Sequence, residues 1–111
     1  MKYDRRVARR IDVNLPVNWE GVFECAEATV TSLSTNGCFI LSGGRVLPKE
    51  LLRLEIHMPG DEIVLVWAEV VDQAYEIGFA ARFTSGSDDE DQMRLMKFVS
   101  DTLNENEPSP A

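Results

Sequence analysis

The hexapeptide Ser32-Leu33-Ser34-Thr35-Asn36-Gly37 contains the clearest turn signal of this 111-residue chain. Asn-Gly is the strongest short-range signal for a tight β-hairpin, because both residues accept the positive φ that such turns need. The flanking segments Val22–Leu33 and Cys38–Ser42 are apolar or alternate between apolar and polar residues. The hexapeptide therefore predicts two antiparallel strands that are joined at Ser34–Gly37.

Further strands are predicted on both sides of this hairpin. Two segments, Ile11–Trp19 and Leu52–Met58, alternate apolar and polar residues with a period of two, which is typical of a strand with one buried face. Glu62–Gln73 is predicted as a long strand with Val64, Val66, Ala68 and Val70 on one face, and Gly78–Thr84 as the last strand. Pro16 has no backbone N–H, so the first strand is expected to have one free edge at that residue.

The hydrophobic period changes near the C-terminal end. Ser87-Asp88-Asp89-Glu90 has the spacing of a capping box, and Gln92–Leu103 carries an apolar stripe at helical spacing. Six strands followed by one helix predict an all-β fold, namely a six-stranded antiparallel barrel with a C-terminal helix. We expect a flexible arm at 1–10, the barrel and helix at 11–104, and a disordered tail at 105–111.

Composition narrows the possible functions. A net charge of −8 and a pI near 4.5 argue against broad binding to nucleic acid or anionic membrane. No apolar run reaches the length of a membrane span, and the charged N-terminus lacks the apolar core of a signal peptide. With one His, no catalytic set or metal-binding spacing is evident, so an enzyme is not expected. Cys25 and Cys38 are predicted to be buried free thiols, in keeping with a reducing, cytoplasmic compartment.

A cationic arm precedes the first strand. Arg5-Arg6-Val7-Ala8-Arg9-Arg10 belongs to a ten-residue segment with five cationic residues and one acidic residue. Guanidinium groups suit bidentate recognition of phosphate, carboxylate or the acceptor edge of guanine. On composition alone, a solvated tail that anchors nucleic acid or an acidic surface is an equally open interpretation.

The hairpin hexapeptide is the second candidate site. Period-two geometry places Ser32 and Ser34 on one face of the strand end, where their hydroxyls and the Asn36 amide can offer donors and acceptors. Gly37 permits positive φ or close approach of a ligand. Ordinary turn chemistry is the alternative, because Ser, Thr, Asn and Gly are common turn residues.

Together, the two motifs resemble the PilZ domain family over roughly residues 4 to 104. Arg6 and Arg10 match its Arg-x-x-x-Arg motif, with Arg5 as the additional arginine that often precedes it. Ser34 and Gly37 match the Asp/Asn-x-Ser-x-x-Gly motif, but Ser32 stands where the family has Asp or Asn. Leu15-Pro16-Val17 and Gly78-Phe79-x-x-x-Phe83 add to the resemblance.

The resemblance implies a bacterial receptor for cyclic di-GMP, without a metal or further cofactor and with a downstream protein partner. The expected ligand contacts are Arg5, Arg6, Arg10, Ser32, Ser34, Asn36 and Gly37, with Arg9 and Trp67 as further candidates. A hydroxyl at Ser32 replaces a charge-assisted bond by a neutral one, so affinity is expected to be about tenfold weaker. The alternative is a degenerate PilZ domain that binds a protein, for instance in motility or surface-organelle control, without binding the nucleotide.

Trp67 lies on the strand face opposite the apolar row of Val64, Val66, Ala68 and Val70. It can therefore stack on a guanine at the outer surface. Cover by the helix or by the arm is the alternative.

Overall fold

The chain forms six strands and one helix in this computed structural model, which describes residues 9–74, 76–85 and 89–106. Their bounds are β1 (Ile11–Glu20), β2 (Cys25–Leu33), β3 (Gly37–Leu41), β4 (Leu51–Met58), β5 (Glu62–Ala74), β6 (Gly78–Phe83) and α1 (Glu90–Asn106).

The six strands close into an antiparallel barrel in the order β1-β2-β3-β6-β5-β4. The predicted hairpin turn is present, with the Ser34 N–H donating to the Gly37 carbonyl at 2.8 Å. Pairing of Val17 with Ile56 joins β1 to β4 and completes the barrel. The predicted six-stranded barrel with a C-terminal helix is therefore confirmed.

The inward-facing side chains form one hydrophobic core that α1 completes. Leu95 and Val99 of α1 are fully buried in the same cluster as the inward residues of the strands. Trp19 and Phe79 meet inside the barrel in an edge-to-face arrangement, with ring centroids 5.4 Å apart. The indole N–H of Trp19 donates to Ser42 Oγ at 3.1 Å, so this buried polar group is satisfied.

The second strand is shorter than predicted. The Gly21 N–H donates to the Glu24 carbonyl at 2.8 Å, so residues 21–24 form a turn and β2 begins at Cys25. Cys25 pairs with Glu20 and is exposed, so the prediction of two buried thiols was wrong for this residue. Cys38 is buried as predicted, and this burial raises the pKa of its thiol to about 12.

Three register shifts interrupt the ladders of the barrel. The β1–β2 register shifts between Asp12 and Leu15, where Val13 is half-buried against the core. The β2–β3 register shifts between Val30 and Ser32, and a third shift lies in the β5–β6 ladder. Such bulges insert an extra residue into one strand, so strict alternation fails across them.

Pro16 pairs with Thr29 of β2, and the pairing of β1 with β4 begins at Val17. The proline therefore lies just before the segment of β1 that pairs on both sides, in agreement with the expected free edge.

The helix begins at a different cap from the expected one. Asp89 Oδ1 accepts a hydrogen bond from the Gln92 N–H at 3.0 Å, so Asp89 is the N-cap of α1. The sequence indicated a capping box that starts at Ser87, which lies outside the described residues together with Asp88. The helix includes residues 105 and 106, which were assigned to the tail, and residues 107–111 lie outside the described part.

Side chains of α1 and the preceding segment bond to one edge of β5. Pairing of β5 with β6 reaches only Ala68, opposite Phe83. Beyond it, the Trp67 N–H donates to Ser85 Oγ at 3.0 Å and the Leu65 N–H donates to Asp91 Oδ2 at 2.7 Å. Arg94 Nη2 donates to the Ile63 carbonyl at 3.2 Å. These bonds satisfy backbone groups of β5 that no strand pairs, and they fix the N-terminal turns of α1 against the barrel.

Candidate functional site

Arg10 and Ser32, from the two motifs of the sequence, are in contact. Ile11 pairs with Leu33, so the residue before β1 lies beside the end of β2. Arg10 Nη1 donates to Ser32 Oγ at 2.9 Å. A guanidinium has five N–H donors, and this contact uses one of them. The two motifs therefore meet at one end of the barrel.

Ser34 has a different environment from Ser32. It is 2% exposed, and its hydroxyl accepts from the N–H groups of Asn36 and Gly37, both at 3.1 Å. Its Oγ also donates to the Gly37 carbonyl at 3.3 Å. Ser34 thus shapes the turn, whereas Ser32 is half-buried and accepts from Arg10. A ligand contact from the Ser34 side chain stays a prediction.

Gly37 is required by the close approach of β3 and β6. A Cβ atom at this position would lie 2.2 Å from the Ala81 carbonyl oxygen. The neighbouring Asn36 is exposed, and its carbonyl accepts from the Phe83 N–H at 2.8 Å. Backbone contacts with β6 therefore account for Gly37, and the Asn36 side chain is available at the surface.

Arg82 is a cation at this end of the barrel that sequence reasoning missed. It pairs with Gly37 across the β3–β6 ladder, and its exposed guanidinium forms an ion pair with Glu69 of β5. No local spacing links residue 82 to the hairpin, because only the β3–β6 pairing brings them together. A predicted pairing of the last strand with the strand that begins at Gly37 could have identified Arg82, since this pairing places it opposite that glycine.

The structure describes two of the four remaining predicted site residues. Arg9 is exposed, and Arg5 and Arg6 lie outside the described residues. Trp67 is 46% exposed, so neither α1 nor a described part of the arm covers it fully. It belongs to β5, which is two strands away from β3. The structure therefore does not bring Trp67 next to the Arg10–Ser32 contact.

The positive charge of Arg10 acts on a buried thiol near the site. Arg10 lies near enough to the Cys38 thiol for its positive charge to lower the pKa of that thiol, although burial dominates and raises it.

His57 is half-buried, with Nε2 3.1 Å from Glu55 Oε2 on the outer wall. Within residues 9–74, 76–85 and 89–106, no three His, Cys, Asp or Glu side chains are grouped as metal ligands. None of the helices described there is long and apolar enough to cross a membrane.

Comparisons with known proteins agree with this geometry. The family model of the PilZ domain matches residues 4–101. No curated protein matches the chain. Among solved structures, the Bacillus subtilis inhibitor of motility (MotI/DgrA) aligns with a TM-score of 0.73 and 20% identity over 95% of this chain. This chain spans only 54% of that protein.

Two further structures share the fold. The PilZ domain of CeSA from a cellulose-synthesizing bacterium aligns with a TM-score of 0.66 and 12% identity, covering 86% of this chain and 98% of its own. An uncharacterized Legionella protein aligns with a TM-score of 0.55 and 20% identity, covering 87% of this chain and 96% of its own.

Proposed function

The chain belongs to the PilZ domain family, and we propose that it is a receptor for cyclic di-GMP that binds this ligand at the Arg10–Ser32 end of its barrel. The observation that carries the proposal is the 2.9 Å hydrogen bond from Arg10 Nη1 to Ser32 Oγ. It joins Arg10 of the first motif to Ser32 at the first position of the second motif.

The chemistry of the two residues suits the ligand. Cyclic di-GMP carries two phosphates and two guanines. The Arg10 guanidinium can donate to a phosphate or to the O6/N7 edge of a guanine, and the Ser32 hydroxyl can accept from one guanine N–H. Arg5 and Arg6 are proposed to add phosphate contacts when the arm orders around the ligand.

In this proposal the domain is a receptor or adaptor in bacterial second-messenger signalling, without catalytic chemistry. Ligand binding would order the arm and change the surface that a protein partner contacts. We propose that the domain binds its ligand and its protein partner in the cytoplasm.

A second candidate function is favoured by one residue. Ser32 replaces the family's Asp or Asn, and a neutral hydroxyl cannot accept two parallel bonds from a guanine edge. A PilZ domain with this substitution can act as a protein-interaction module without nucleotide. The similarity to a protein described as an inhibitor of motility makes motility control one setting for such a module.

Isothermal titration calorimetry with cyclic di-GMP tests the proposal. We expect the intact chain to bind, and Arg10→Ala to lose roughly tenfold or more in affinity because a charge-assisted bond is removed. The double variant Arg6→Ala/Arg10→Ala should lose more.

Arg45→Ala is the matched control, since it also removes one guanidinium but lies in the connection between β3 and β4, with its side chain 91% exposed. No heat of binding by the intact chain at high micromolar ligand would reject the receptor function and favour the interaction module.

A further inference from the structure

A cleft separates the motif hairpin from α1 on the side of Gly37 that faces away from Arg10. Its volume is about 410 Å³, and its walls come from the hairpin, the end of β6 and the first turns of the helix. The lining residues are Thr35, Asn36, Arg82, Phe83, Ser85, Gln92 and Met96.

Gln92 gives this cleft an unusual polar group. The residue is 4% exposed, and its Oε1 is buried without a hydrogen-bond partner among the residues that the structure describes. The backbone N–H of Gln92 donates to Asp89 Oδ1 at 3.0 Å. This cap satisfies the backbone N–H of Gln92 but leaves its side-chain oxygen without a donor. A buried carbonyl oxygen without a donor is costly, and such groups call for an explanation such as a ligand.

The other groups of the cleft define the chemistry that would satisfy Gln92. An amide oxygen accepts an N–H, and the Arg82 guanidinium beside it can donate to acceptor atoms. Phe83 and Met96 add apolar walls against which a flat ring can pack. A planar base with both N–H donors and an acceptor edge fits this set, and guanine has N1–H, N2–H₂, O6 and N7.

The position of the cleft matches the reach of one ligand. Ser32 lies on β2 and Arg82 on β6, with β3 between them. Ser32 pairs with Phe39 and Arg82 pairs with Gly37, so two strand spacings and two residues along the strands separate them, which is roughly 12 Å. Gly37 places no side chain beside Arg82. A cyclic dinucleotide with one base at Ser32 could therefore present its other base on the far side of the hairpin.

We propose that the cleft between the hairpin and α1 is a second guanine subsite. The Gln92 side chain turns into the cleft on binding, because its Oε1 is closed to solvent, and Oε1 then accepts an N–H of the base while Arg82 donates to its acceptor edge. This inference rests on the proposed cyclic di-GMP receptor function. It places α1 in direct contact with the ligand, although α1 lies outside both sequence motifs.

Gln92→Met tests the subsite, because it keeps the side-chain length and removes the unpartnered oxygen. We expect opposite effects on two measurements. The ligand-free variant should unfold at an equal or higher temperature than the parent, while its affinity for cyclic di-GMP should fall about five- to tenfold. Gln73→Met makes the same substitution at the C-terminal end of β5, outside the cleft, and should alter affinity by less than about twofold.

A second measurement uses the unaltered chain and so does not depend on how a variant folds. The sequence has two glutamines, Gln73 and Gln92. Titration of ¹⁵N-labelled protein with cyclic di-GMP should shift the side-chain amide resonances of Gln92. Those of Gln73, at the C-terminal end of β5, should stay in place.

The outcomes separate the two proposals. If the intact chain binds but Gln92→Met binds equally well and the Gln92 amide does not shift, the second subsite is wrong and the receptor function stands. A lower unfolding temperature of ligand-free Gln92→Met would also contradict the subsite, since Oε1 would then have a stabilising partner. If the intact chain binds no cyclic di-GMP, both proposals fail.

Discussion

The guanidinium of Arg10 donates a hydrogen bond to the hydroxyl of Ser32, a residue 22 positions further along the chain. The acceptor is uncharged, so this bond is weaker than the ion pair that a carboxylate at the same position would form. In the proposed receptor, Arg10 exchanges this partner for a phosphate or a guanine.

Ser32→Asp should increase the affinity for cyclic di-GMP by about tenfold, because a carboxylate can accept two guanine N–H groups through charge-assisted bonds. Titration calorimetry checks this expectation. Ser100→Asp adds the same charge on the exposed side of α1 and should leave affinity within about twofold. An unchanged or weaker affinity of Ser32→Asp would show that residue 32 does not face the base.

Gly37→Ala should lower the free energy of unfolding by about 1–3 kcal/mol, because the added methyl group overlaps the Ala81 carbonyl of the neighbouring strand. Urea unfolding measures the loss. Gly43→Ala is the matched control, since its Cβ would meet no atom within 4 Å. Equal stability of the two variants would mean that β3 and β6 are not held this closely.

Thiol labelling with Ellman's reagent at neutral pH should modify Cys25 and not Cys38 in the folded chain. Cys25 is exposed, whereas burial raises the Cys38 pKa to about 12 and leaves little thiolate. Cys25→Ser should abolish labelling until denaturant is added. Rapid labelling of that variant under native conditions would contradict the burial of Cys38.

The same raised pKa gives the Cys38 thiol a stability effect at alkaline pH. Its contribution is fully present below the ordinary value of 9.0 and is lost as pH rises toward about 12, because only the unfolded chain ionises in that window. Cys38→Ala should lose less stability than the parent between these limits when unfolding is measured at increasing pH.

Asp91→Asn should reduce the acid sensitivity of the fold. The Leu65 N–H, and secondarily Arg94, lower the pKa of this carboxyl below its ordinary value of 3.8. The contribution of the carboxylate is therefore present above the ordinary pKa and is lost as pH falls through the lowered one.

Urea unfolding between neutral pH and pH 3 tests this sign, and the variant should show the shallower decline. Asp101→Asn is the control, because Asp101 forms an exposed ion pair with Lys97 of α1 and should change the decline little. Parallel curves for the parent and Asp91→Asn would refute the role of the carboxylate.

Local patterns were sufficient to predict the fold. Alternation with a period of two identified β1, β2 and β4, apolar runs between turn signals identified the other strands, and Asn36-Gly37 identified the turn between β2 and β3. The errors lie where the observed contacts override the local pattern. The turn at residues 21–24 shortens β2, and the bulge before Ser32 breaks its alternation.

The site could be predicted only in part. Both motifs are readable along the chain, and the pairing of Ile11 with Leu33 brings Arg10 to Ser32. The burial of Ser34 could not be predicted, because it depends on the hydrogen bonds of its hydroxyl to the turn backbone at Asn36 and Gly37. Arg82 and Gln92 reach this end of the barrel only through β6 pairing and helix docking, which leave no local signature.

The bonds from Ser85, Asp91 and Arg94 to β5 have a consequence for solubility. Unpaired backbone groups on a strand recruit strands from other molecules, and charged or covering elements prevent this. The outer row of β5 next to these groups is apolar, with Ile63, Leu65 and Trp67 exposed. Because Ser85 and two residues of α1 occupy the backbone groups beside that row, these groups are not available to a strand of another molecule. A chain that ended after Phe83 would lose part of its core and also its protection against aggregation.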